Sequence, residues 1–317
     1  MSDYKKFMEE LRIQVAEKMG EEYRAEVHQV TKANVGSTDT LIVFRRDSAG
    51  EMASPTFYLP PLFFEHREGR GVEEIAEDLV ETYHRLEEEM EEVNGMLDGI
   101  RGYECCKDRI YFKLINTEKN REFLKDKVYF EVLDLSMAVY VLMGEAENGI
   151  GSVPVYSRLL ELWGVTAEEV RKQAEKNTPL LFPPKVRSLA SVMADILCRE
   201  AGNTGVRNVP EKPGEWGVFV MSNTKGINGF SAVLYPEVLK DFASIAGKNL
   251  YVLPSSVHEA LLFPEDTAIE PEELQEMLRE VNASSAVADE DVLSDSLYYY
   301  DREKNELRMA EGCICAG

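Results

Sequence analysis

The stretch Asn249-Leu250-Tyr251-Val252-Leu253-Pro254-Ser255-Ser256-Val257-His258-Glu259-Ala260-Leu261-Leu262-Phe263 alternates apolar runs with a polar break. Residues 249–253 and 259–263 have the apolar and aromatic composition of strands, and Pro254-Ser255-Ser256 supplies turn chemistry between them. Just upstream, a helix is expected from Pro236 to Gly247, with proline at its first position and glycine just past its end. Before it, strands are expected at 218–222 and 230–234 around a polar turn at 223–229. Downstream, a helix begins at Pro271 with Leu274, Met277, Leu278 and Val281 as its buried stripe. A hairpin follows at 296–301 and 306–309, turning through Arg302-Glu303-Lys304-Asn305. This last region reads β-β-α-β-β-α-β-β.

Working outward to the start, Tyr4, Phe7, Met8, Leu11, Val15 and Met19 recur at helical spacing, and Gly20 sits at the stop. Strands are expected at 25–31, 40–46 and 56–59, then a long helix at 72–93 with an acidic outer face. The first region therefore reads α-β-β-β-α and closes near Asn94-Gly95. Between the two lies a mixed segment, with strands at 109–115, 128–133 and 137–143 and a short helix at 119–124. Residues 137–143 are apolar on both faces, as a central strand should be. Thr166 and Glu169 are spaced as a capping box for a helix after Gly164, and a further helix is expected at 186–200. The fold class is α+β. A division at residue 95 gives domains 1–95 and 96–317, and the proline- and glycine-containing stretch 202–214 marks a possible further boundary.

Composition excludes several functions. The chain has 317 residues, with 35 Lys plus Arg against 58 Asp plus Glu, for a formal net charge of -23. Such a surface repels phosphate backbones and anionic membranes, so neither direct nucleic-acid binding nor membrane binding is expected. No secretory signal follows Met1, and the longest apolar run, 135–143, is about half of what a spanning helix requires. The five cysteines, Cys105, Cys106, Cys198, Cys313 and Cys315, do not form a disulfide framework, and a reducing cytoplasm fits them best.

Motifs are sparse. Neither G-x-x-x-x-G-K-[ST] nor G-x-G-x-x-G occurs, and Gly149-Ile150-Gly151 is a loop pair without the third glycine. No cofactor is expected. Cys313 and Cys315 form a C-x-C pair, two soft ligands that fall short of a metal site. Ser256 and His258 share a face if that segment is extended, the minimum for a nucleophile and its base. The G-x-S-x-G elbow is absent, no acid is clearly placed beside His258, and a turn in which Ser255 and Ser256 satisfy backbone groups explains the same residues. Tyr298-Tyr299-Tyr300 offers either an aromatic surface or a strand with one buried side.

The Leu253-Pro254-Ser255-Ser256-Val257-His258-Glu259 core, Arg279-Glu280-Val281-Asn282, and Leu293-Ser294-Asp295 leading into Tyr298-Tyr299-Tyr300-Asp301-Arg302 together resemble an uncharacterised domain-of-unknown-function family (number 5688) of anaerobic gut Firmicutes. Ser54-Pro55-Thr56 and Glu118-Lys119-Asn120 fit the same pattern. The resemblance implies a bacterial cytoplasmic origin and brings no activity with it. The expectation is a non-enzymatic binding or regulatory module with a protein partner. Its recognition surface is placed at Ser255, Ser256 and His258, with Asn282, Asp295 and Tyr298 further off. The alternatives are a hydrolase using Ser256 and His258, and an acidic inhibitor that mimics nucleic acid.

Overall fold

A computed structural model describes residues 2–34, 36–46, 55–100, 102–146, 149–200, 217–266, 269–284 and 287–310, with side chains described for all of these except 32, 87–99, 145, 146, 149 and 196–200. The expected boundary at 202–214 and the Cys313–Cys315 pair lie outside the described residues. The chain divides into two compact units, 1–105 and 106–317.

The first unit opens with α1 (Asp3–Met19), whose start is capped by the Ser2 side chain accepting from the Lys5 N–H. Strands β1 (Tyr23–Lys32), β2 (Gly36–Arg45) and β3 (Thr56–Tyr58) form a three-stranded antiparallel sheet. Helices α2 (Leu59–Arg67) and α3 (Val72–Ile100) follow. Phe7, Leu11, Val15 and Met19 pack with Leu41 and Val43 of β2 and with Ile75, Ala76 and Leu79 of α3. Burial of each large apolar side chain contributes roughly 1.5–3 kcal/mol, so helix periodicity and sheet alternation converge on one core. On the outer side of α3, Lys18 pairs with Glu77 at 2.8 Å, and Arg70 pairs with Glu65, Glu74 and Asp78. The described start of this acidic helix is therefore interspersed with cations.

The short helix α4 (Tyr103–Cys106) spans the division. The second unit contains a four-stranded sheet of β4 (Ile110–Asn116), β5 (Tyr129–Val132), β6 (Leu135–Ala146) and β7 (Gly149–Pro154), with α5 (Arg121–Leu124) before β5. Strand β6 is central, pairing with β4 along one side and with β5 and β7 along the other, and Leu135 to Met143 are buried on both faces, which accounts for their apolar character. Helices α6 (Ser157–Trp163) and α7 (Ala167–Leu181) come next, and α7 starts with the capping box expected from Thr166 and Glu169. Strand β4 is an edge, and side-chain hydroxyls occupy two of its free N–H groups. Thr178 on α7 accepts from Phe112 at 3.0 Å, and Ser231 accepts from Leu114 at 3.1 Å.

A six-stranded sheet carries the rest: β8 (Pro184–Ser188), followed by α8 (Leu189–Glu200), then β9 (Phe219–Asn223), and, after α9 (Val238–Ala246), β10 (Leu250–Ser256) and β11 (Glu259–Pro264). Helix α10 (Pro271–Ala283) precedes β12 (Tyr298–Asp301) and β13 (Glu306–Met309). The spatial order is β13-β12-β10-β11-β9-β8, so the β10–β11 hairpin is its centre. One face packs Leu253, Phe263, Leu297 and Tyr299 against Leu274 and Leu278 of α10.

The α+β class expected from the sequence is the class observed, and several elements differ from expectation. Residues 229–234 form a 3-10 helix instead of a strand. Phe230, Ser231, Ala232 and Val233 are buried on all sides there, and the segment meets β4 through Ser231 and β12 through the Phe230 and Tyr298 rings. Gly149-Ile150-Gly151 belongs to β7, where pairing with β6 overrides weak local propensity. Residues 186–188 end strand β8 instead of starting a helix. Helix α2 begins with Leu59-Pro60-Pro61, the prolines occupying first-turn positions that need no N–H donor. Helix α3 continues through Asn94-Gly95 to Ile100, because Gly95 and Gly99 each cost only about 1 kcal/mol in a run of good helix formers. On α10 the buried stripe is Leu274, Gln275 and Leu278, whereas Met277 and Val281 are exposed.

Leu11 is fully buried and Ile13, on the same helix, is 42% exposed. In urea denaturation of the full chain, Leu11→Ala is expected to lose about 2–5 kcal/mol, and Ile13→Ala to stay within roughly 0.5 kcal/mol. Equal losses would contradict this placement of α1.

Candidate functional site at the β10–β11 tip

Strands β10 and β11 pair in register from Leu250↔Pro264 to Pro254↔Ala260, after which a bulge shifts the pairing to Ser256↔Glu259. Pro254 is tolerated because β12 pairs only with Leu250–Val252, so β10 has no strand neighbour on that side at Pro254. Val257 and His258 form the turn itself. The segment is therefore not extended through His258, and Ser256 has the turn role. Its Oγ accepts from the His258 N–H at 3.0 Å.

Two loops hold this tip. From residues 222–230, Ser222 Oγ donates to the His258 carbonyl at 2.7 Å, and the Phe230 N–H donates to the Val257 carbonyl at 3.2 Å. The Asn228 N–H donates to His258 Nδ1 at 3.2 Å. From the other side, the Val257 N–H donates to the Asp291 carbonyl at 2.8 Å, and His258 Nε2 lies 3.2 Å from Asp291 Oδ1. The 222–230 loop is itself tied internally. Asn223 donates to the Ile227 carbonyl at 2.7 Å and accepts from the Lys225 N–H at 3.0 Å. Asn228 adopts a left-handed conformation (φ 52°), and a Cβ at Gly229 would overlap Ser222 Oγ and the His258 carbonyl oxygen.

These contacts fix the chemistry of His258. Because Nδ1 accepts from a backbone N–H, a neutral ring carries its proton on Nε2 and donates it to Asp291. Both nitrogens are thereby occupied, and neither bond goes to Ser256. An acid orients the imidazole as in a catalytic triad, yet the base position is filled by the Asn228 amide.

The remaining expected residues form a second cluster along the same loop. Asp134, in the turn between β5 and β6, accepts from the Ser294 hydroxyl and, at 2.7 Å, from Tyr298. Tyr298 is 1% exposed, and burial followed by the Asp134 charge pushes its phenol well above the usual range, so it stays a donor. Asn282 donates to the Ser294 carbonyl at 3.0 Å and to Asp295 Oδ1 at 2.8 Å. Gln275 donates to the Asp295 carbonyl and accepts from the Leu297 N–H at 3.2 Å. Asn282, Asp295 and Tyr298 thus anchor the loop that delivers Asp291 to the tip. Tyr299 and Tyr300 are buried as well, so the tyrosine run is core on both sheet faces and not an aromatic surface.

Sequence reasoning missed Asn228, Asp291 and Asp134. The Asn228-Gly229 pair is a turn signal that marks the loop, whereas nothing local marks Asp291 or Asp134 as partners of residues 33 and 164 positions away. A separate groove of about 580 Å³ runs beside α5 and the β5–β6 turn, with Arg121, Lys125, Tyr129, Glu131 and Asp134 in its lining. Its α5 cations are paired with Glu118 and Glu122, so they do not select an anion. Among the described residues there is no group of three or more His, Cys, Asp or Glu able to hold a metal ion. None of the described helices is long and apolar enough to cross a membrane.

Gly229→Ala is expected to destabilise the chain by about 3 kcal/mol or more, since backbone oxygen cannot yield to the new Cβ. An unchanged melting temperature would contradict the close approach. Tyr298→Phe is expected to cost about 1–3 kcal/mol by leaving Asp134 short of a donor. In an Asp134→Asn background the same change should cost measurably less, and additive losses in this double-mutant cycle would sink the pairing.

No curated protein and no solved structure matches the chain. The model of one family, described as a family of unknown function (DUF5688), matches residues 4–302. On that match, over nearly the whole sequence, the chain belongs to the DUF5688 family.

Proposed function

We propose that this protein is a non-enzymatic binding or regulatory module of the bacterial cytoplasm, recognising a protein partner at the β10–β11 tip. The observation that carries this reading is the occupancy of the His258 ring. With Nδ1 on Asn228 and Nε2 on Asp291, no nitrogen is left to take a proton from Ser256, whose own oxygen accepts from the His258 N–H. A hydrolase would need that pair. What the tip offers instead is a fixed polar surface: the His258 side chain is 39% exposed and that of Asp291 35%. Its loops are already ordered by their own hydrogen bonds, which reduces the entropy cost of binding. The expected binding residues divide accordingly. Ser255, Ser256 and His258 lie at the tip, joined by Asp291, and Asn282, Asp295 and Tyr298 support them from behind.

The nucleic-acid-mimic reading gains less support, because Lys18 and Arg70 interrupt the described carboxylates of α3.

Labelling with a fluorophosphonate serine-hydrolase probe separates binding from catalysis. The folded wild-type chain is expected to remain unlabelled. Labelling that Ser256→Ala and His258→Ala both abolish would replace this reading with the hydrolase. For the placement, a tagged full chain is expected to retain a protein partner from bacterial extract, with about tenfold weaker retention by His258→Ala or Asp291→Ala. Equal retention by both variants would move the surface elsewhere.

A further inference from the structure

We infer that His258 is a proton-operated latch, closed on the Asn228 N–H when the imidazole is neutral and released from it when the ring takes up a second proton. Five hydrogen bonds reach the tip from its two loops, and only two of them use the ring. The Asn228 N–H donates into Nδ1, which requires a lone pair there, and Nε2 faces the Asp291 carboxylate. A neutral ring satisfies both at once. The added proton goes to Nδ1, where it meets the Asn228 N–H donor to donor. That bond is lost, while the Nε2 contact becomes a charge-assisted bond to Asp291. Protonation therefore transfers the hold of the ring from one loop to the other.

Charged groups stand on both sides of the ring. On the loop that carries Asn228 the charged side chain is Lys225, and its ammonium lies 5.3 Å from the Phe182 ring centroid. On the opposite segment stand Asp289, Glu290 and Asp291, and beside the ring in sequence is Glu259. The carboxylate in contact with the ring is that of Asp291, 3.2 Å from Nε2. The movement is local, because Ser222 still donates to the His258 carbonyl and Phe230 to the Val257 carbonyl. Those two bonds do not involve the ring. The group set free is thus the Asn228 N–H, because Thr224 stays on the Pro183 carbonyl and Lys225, Gly226 and Ile227 stay bonded to Asn223. Histidine is the side chain whose ordinary charge change lies near neutral pH, the range in which such a latch is tested. Its use as a regulator of partner binding rests on the recognition surface proposed above, and the latch itself does not.

The test is a pH titration of the full-length protein by nuclear magnetic resonance, following the His258 ring and the backbone amides together. The Asn228 amide is expected to shift on acidification with the same midpoint as the His258 ring. The Val257 amide, held by the Asp291 carbonyl, should move least. In a folded His258→Gln variant the Asn228 shift at that midpoint should vanish. A ring that titrates while the Asn228 amide stays in place would overturn the latch from wild-type data alone. So would an Asn228 shift that persists in His258→Gln. A working latch in a protein whose partner retention ignores His258 would retain the switch and remove the recognition surface; unchanged amides with His258-dependent retention would do the reverse.

Discussion

A hairpin tip that extends beyond its neighbouring strands must find partners for its polar backbone groups elsewhere, and this constraint organises the second unit. Leaving a buried donor or acceptor unpaired costs about 1–3 kcal/mol each, so the tip at Val257-His258 is met by loops on both sides. The loop from β9 brings Ser222, Asn228 and Phe230, and the segment before β12 brings Asp291. Each loop then needs its own support. Asn223 ties the first internally, and Gln275, Asn282, Ser294 and Asp134 anchor the second. The side chain at the meeting point, His258, is the one whose hydrogen-bonding pattern changes with its charge.

Order in this region is thus built in layers. The sheet centre fixes the position of β10 and β11, and the Gly229 approach fixes the distance between the tip and the first loop. The Asp134 carboxylate, accepting from both Ser294 and Tyr298, joins the turn of the four-stranded sheet to the start of β12. Asp291, three residues before Ser294, is held in turn by its own N–H on the Ala288 carbonyl and by its carbonyl on the Val257 N–H.

How much of this was legible in the sequence depends on the range of the interaction. The α1 stripe, the Thr166–Glu169 cap, the glycine stop of α9 and the paired runs around Pro254 are local patterns, and each is present. The 3-10 helix at Gly229–Leu234 was not legible, because its apolar residues suit a strand and only the packing between two sheets decides otherwise. The same holds for the site. Ser256 and His258 stood out as a hydroxyl and an imidazole two residues apart, which suggested nucleophile and base. The bulge after Pro254 and the turn at Val257 give Ser256 to the backbone instead, and a non-local amide and a non-local carboxylate take the ring. The tyrosine run failed for a related reason: alternation cannot reveal that a sheet is covered on both faces.

The central claim is that the Asn228 amide occupies Nδ1 and thereby fixes the His258 proton on Nε2. Long-range proton–nitrogen correlation spectra of the His258 ring in the neutral full-length protein test this most directly. An unprotonated Nδ1 and a protonated Nε2 are expected. A ring protonated on Nδ1, or one exchanging freely between both tautomers, would contradict it, and would return Nε2 to the list of available bases.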